Sequence, residues 1–99
     1  MNAAELIKTE SENFANAASY YAEKYHERKL KHAQLLLKFK REPPADIKVT
    51  DPTMEALIEA DLEYQAAITV EIAAEYKKIL ARGALDAALA TGKMLNNGD

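Results

Sequence analysis

FANAASYYAEKYHERKLKHAQLLLKF, Phe14–Phe39, is the stretch that decides the fold. Phe14, Ala18, Tyr21, Tyr25, Arg28, His32, Leu35 and Phe39 recur in alternating steps of four and three, the spacing of one helix face seated on a neighbour. Arg28 and His32 interrupt that stripe with polar groups, which predicts an interior pair that sets register or meets an acid of a second helix. Leu30, Ala33 and Leu37 lie on another side, so the later half of the helix is apolar over a wide arc. A wide arc predicts more than one neighbour.

Upstream, Asn2 can cap a helix from about Ala3, with Glu5 at the third helical position in the manner of a capping box. Downstream, Glu42-Pro43-Pro44 stops it, because proline lacks the N–H and restricts the residue before it. Residues 41–51 then read as a linker in which Ile47 and Val49 can fold back on the helices. Thr50 or Asp51 as N-cap, with Pro52 in the first turn, marks the restart. The second helix, about residues 52–82, carries its own stripe of Met54, Ile58, Leu62, Gln65, Thr69, Ile72, Tyr76 and Ile79. Gly83 predicts a break into a short third helix over 84–92; the alternative is continuation at a cost of about 1 kcal/mol. Residues 96–99 read as a frayed tail.

The expected fold is therefore all-α: a long antiparallel helical hairpin with a short third helix, assembling as a homo-oligomer into a helical bundle. A 99-residue chain forms one domain at most, and a two-helix hairpin this long shows water too much apolar surface on its own. Self-association or docking on another protein relieves that exposure. The side chains expected at such interfaces are Phe14, Tyr21, Tyr25, Leu30, Leu35, Leu37 and Phe39 on the first helix, and Ile58, Leu62, Ile72, Tyr76 and Ile79 on the second.

Charge is segregated along the chain. Residues 24–41 hold seven Lys/Arg against Glu27, and residues 42–75 hold nine acids against Lys48. In an antiparallel hairpin the basic end of helix 1 lies beside the acidic start of helix 2, which predicts Lys31, Lys38 or Arg41 near Glu55, Glu59 or Glu63. Each block also suits its helix dipole.

Few residues carry chemistry. Cysteine is absent, which removes disulfides, thiolate nucleophiles and sulfur-ligated metals. There is no nucleophile–base pair with an orienting group and no glycine-rich phosphate loop, so a non-enzymatic protein without cofactor is expected. Glu23 and His26 form an E-x-x-H which, with Glu59 and Glu63, resembles half of a ferritin-like di-iron set. Those two residues lie off the main seam, and solvated surface positions are their ordinary reading.

Lys24, Arg28, Lys29, Lys31, Lys38, Lys40 and Arg41 adjoin Tyr20, Tyr21 and Tyr25, a combination that single-stranded nucleic acid binding requires. Two of those tyrosines sit in the seam, so core packing competes with stacking on bases. No apolar run approaches the roughly 20 residues of a bilayer span, and no basic leader feeds a greasy stretch, so a cytoplasmic protein is expected.

YKKILARGALDAALA, Tyr76–Ala90, completes a pattern that resembles small bacteriophage-encoded proteins of early recombination and replication gene clusters. The likeness covers about residues 14–95: a Tyr/Lys/Glu-rich first helix, a short polar linker, and an acidic second helix with that ending. It implies an accessory that oligomerises and bridges a recombinase or single-strand-binding protein to DNA, and it brings no catalytic residue. A further phage-like role is inhibition of a host nucleic-acid enzyme by an acidic helix face, for which Glu55, Glu59 and Glu63, then Glu71 and Glu75, supply ridges at i,i+4 spacing. Secreted helical-hairpin virulence modules also share this size, but Arg41-Glu42-Pro43-Pro44 stands where they carry a Trp-x-Gly turn.

Overall fold

The computed structural model describes residues 2–45 and 50–97. Ile47, Val49, Gly98 and Asp99, on which parts of the linker and tail expectations fall, lie outside the described residues. Three helices follow in order: α1 (Ala3–Arg41), α2 (Asp51–Ala60) and α3 (Leu62–Asn97). The fold is all-α, and the two long helices pack closely against each other as an antiparallel hairpin.

Local signals set the helix starts. The Asn2 side chain accepts from the Glu5 backbone N–H at 2.8 Å, and its own amide donates to the Glu5 carboxylate at 3.3 Å. Thr50 caps α2, its hydroxyl accepting from the Thr53 N–H, and Pro52 occupies the first turn where its missing donor costs nothing.

Where α2 gives way to α3 the structure departs from the expected course. The break falls at Asp61, whose extended backbone (φ −67°, ψ 126°) ends one helix and caps the next. Its N–H donates to the Ile58 carbonyl, its carboxylate accepts from the Tyr64 N–H at 2.9 Å, and Gln65 reaches back to the Glu59 carbonyl at 3.1 Å. Two orphan carbonyls at the end of α2 and one orphan N–H at the start of α3 are thereby satisfied. At Gly83, by contrast, α3 runs on without interruption and reaches Asn97, because its alanine-rich flanks offset a glycine's cost of about 1 kcal/mol. The short helix of this fold is thus α2, and residues 84–92 belong to α3.

The chain forms two compact units. In Glu23–Ile72 the core is Leu35 from α1, Ile58 from α2 and Tyr64 from α3, with Leu36, Phe39 and Ile68 packed on it. Ile58 is wholly buried, at 0% exposure. In the unit of Met1–Ala22 with Ala73–Asp99, Ala74, Leu85, Ala88 and Gly92 are buried on α3, and Leu6, Ile7, Phe14, Ala17, Ala18 and Tyr21 are half-buried on α1. Small residues there bring the helices close: a Cβ on Gly92 would meet Ile7 Cδ1 at 2.9 Å.

Every position of the α1 stripe, from Phe14 through Arg28 and His32 to Phe39, is buried or half-buried. The second stripe holds only through Met54 and Ile58. Beyond the Asp61 break, Tyr64, Ile68, Glu71, Ala74, Lys78, Ala81, Leu85, Ala88 and Gly92 turn inward. Leu62, Gln65, Thr69, Ile72, Tyr76 and Ile79 face solvent instead, Leu62 at 79% exposure.

Candidate interaction surfaces

The polar residues inside the α1 stripe are met by acids. Arg28 forms a two-pronged pair with Glu71, with Nε to Oε2 at 2.5 Å and Nη2 to Oε1 at 3.2 Å. That hydrogen bonding, against burial and with help from the Tyr64 phenol, holds the guanidinium above its ordinary pKa. His32 Nε2 lies 3.1 Å from a Glu55 carboxylate oxygen, and its ring leans on Tyr64 with centroids 5.9 Å apart. Lys31 hydrogen-bonds Glu63, which raises the lysine's pKa. Of the contacts expected between the charge blocks, Lys31 with Glu63 is the one formed.

These pairings bear on the basic run. Arg28 and Lys31 are engaged across the hairpin, Lys24 is paired with Glu27 on its own helix, and Lys29 and Lys38 lie over the Tyr25 and Phe39 rings. Lys40 and Arg41 make no ion pair among the described residues. Arg41 helps line an open groove of about 290 Å³ with Gln34, Leu37, Lys38 and Glu42. Of the tyrosines beside the run, Tyr20 and Tyr21 sit under the ammonium groups of Lys77 and Lys78, 5.9 and 5.0 Å from the ring centroids. Phe14 is likewise covered by Arg82 at 5.4 Å.

Glu23 and His26 are both exposed on α1, and His26 meets the edge of Tyr25. Glu59 is exposed on α2, and Glu63 is the acid bound to Lys31. Among the described residues no three His, Asp or Glu side chains gather into a metal-holding group. No helix is long and apolar enough to cross a membrane among the residues described.

The residues expected at interfaces divide in two. Leu35 and Ile58 are buried, and Phe14, Tyr21, Tyr25 and Phe39 are half-buried within the hairpin. Leu30 and Leu37 on α1, and Leu62, Ile72, Tyr76 and Ile79 on α3, are exposed. Leu80, which flanks the expected stripe, and Met94 join them on the outside of α3, as do Gly83, Ala73, Ala87 and Ala90. The signal was present: Ala73, Tyr76, Leu80, Gly83, Ala87, Ala90 and Met94 step by three and four like the α1 stripe.

Compared with protein families, with curated proteins and with solved structures, the chain matches none.

Proposed function

We propose that this chain is a non-enzymatic homo-oligomeric interaction module that associates through the outer side of α3. One observation carries the reading: Tyr76, Ile79, Leu80 and Met94, all in the part of α3 that belongs to one compact unit, are each 55–74% exposed. Scattered apolar side chains on a surface need no explanation, but a helix that is apolar on both its inner and outer sides is built to be covered twice. The hairpin supplies one cover, and a second protein surface supplies the other.

Single-strand binding gains less support, because most of the basic run is committed within the chain and leaves Lys40 and Arg41 at the end of α1. The bridging role in phage recombination or replication stands on the resemblance of sequence pattern, and it names the class of second partner to seek once self-association is measured. The test is the mass in solution by size-exclusion chromatography with light scattering across a dilution series. Multiples of 11.0 kDa are the expected result, and a monomer at every concentration sinks the reading.

A further inference from the structure

We infer that α3 pairs with α3 of a second copy in antiparallel fashion, about a two-fold axis at Gly83–Ala84. This rests on the self-association proposed above and specifies its geometry.

The order of charges singles out that axis. Glu75, Arg82, Asp86 and Lys93 are all exposed on α3, and their signs invert about residue 84. Running a second α3 antiparallel about that point sets Glu75 against the partner's Lys93, and brings the Arg82–Asp86 pair that each helix makes within itself, at 3.1 Å, against the same pair of the partner with opposite charges facing. Two-fold symmetry makes each contact twice. A parallel, in-register pair would set each of these charges against its own copy.

Side-chain size follows the same axis. Tyr76, Leu80 and Met94 are the large residues of this face; Ala87 and Ala73 stand at the mirror positions of Leu80 and Met94 across residues 83–84, and Ala90 lies one residue from the mirror position of Tyr76. All six are exposed, so each large side chain of one copy meets an alanine of the other. Parallel pairing would force Tyr76 onto Tyr76 and leave alanine facing alanine.

Gly83 sits at the centre of this arrangement. It lies mid-helix and costs stability relative to alanine, yet among the described residues nothing beyond its own helical turn comes within 4 Å of where a Cβ would be. No packing inside the chain requires a glycine there, whereas a crossing helix gains close approach from it.

The chain has no cysteine, so single cysteines report the pairing directly. Gly83→Cys should cross-link to itself on oxidation. Tyr76→Cys and Ala90→Cys should each stay unlinked alone and form a mixed dimer when combined. Glu75→Lys should weaken association about three- to tenfold, as two exposed pairs are lost, and Glu75→Lys with Lys93→Glu should restore it. Self-linking of Tyr76→Cys, or an unlinked Gly83→Cys in a chain that light scattering shows to be dimeric, would overturn the antiparallel geometry while leaving self-association intact. A native chain that is monomeric throughout removes both.

Discussion

Arg28 and Glu71, separated by 43 positions in sequence, face each other fork to fork inside the hairpin, with the arginine 23% and the carboxylate 12% exposed. A pair this enclosed holds the helices in one register, since sliding either helix by a turn leaves both charges without partners. Glu71→Ala should lower stability by about 1.5–3 kcal/mol in urea unfolding, the range for charged hydrogen bonds. Replacing both at once, as Arg28→Met with Glu71→Leu, should cost less than that single change, because no uncompensated charge is left behind. A double-mutant cycle at fixed protein concentration reads the difference.

Asp61 is the cap on which α3 depends. Asp61→Ala should cost about 1 kcal/mol in the urea midpoint, and Asp61→Asn should stay within a few tenths of the native chain, since the amide oxygen can accept from the Tyr64 N–H equally well.

Ile58 and Leu62 occupy consecutive steps of one apolar stripe and opposite environments. Ile58→Ala should cost about 2–5 kcal/mol as a fully buried truncation, while Leu62→Ala should change the unfolding free energy of the dissociated chain by no more than about 0.5 kcal/mol. Equal losses at the two sites would contradict the break between α2 and α3.

The two helical glycines of α3 should respond differently to alanine. Gly83→Ala fills open space and should stabilise the dissociated chain by up to about 1 kcal/mol through helix propensity. Gly92→Ala must push Ile7 Cδ1 aside and should gain less; adding Ile7→Ala narrows the gap between them. Thermal unfolding at high dilution measures both.

Lys31 gives the hairpin a dependence on alkaline pH. Its pKa is raised above 10.5 in the folded chain, chiefly by the hydrogen bond to Glu63, so the ammonium contributes stability throughout the range below 10.5. That contribution fades as pH rises through the raised folded value. The urea midpoint of the native chain should therefore fall toward that of Lys31→Met above pH 10.5, and the gap between the two should be constant at neutral pH.

Much of the hairpin is legible in the sequence because its signals are periodic or covalent. The α1 stripe extends over eight positions, and Pro43-Pro44 cannot continue a helix, so both survive any tertiary context. Asp61 announces itself less clearly: it lies within an unbroken apolar rhythm from Met54 to Ile79, and an aspartate mid-pattern reads as an ordinary solvated residue. Its extended backbone and the side-chain bond to the Tyr64 N–H make it a boundary. Gly83 is the converse, a strong punctuator overruled by the helix-forming Ala84–Ala90 that follows. The outer face of α3 was visible as spacing, but which of two interleaved stripes turns inward depends on where the helix restarts.

That restart sets the phase of everything after it. Leu62, Thr69, Ile72, Tyr76 and Ile79 keep time with Met54 and Ile58, whereas the residues actually enclosed arrive one position early, a turn of about 100° around the helix. The chain thus carries two complete linings for a single wall. A one-residue deletion beside Asp61 would advance the later stripe into the enclosed slots, turning the surface now offered outward into the one kept for itself.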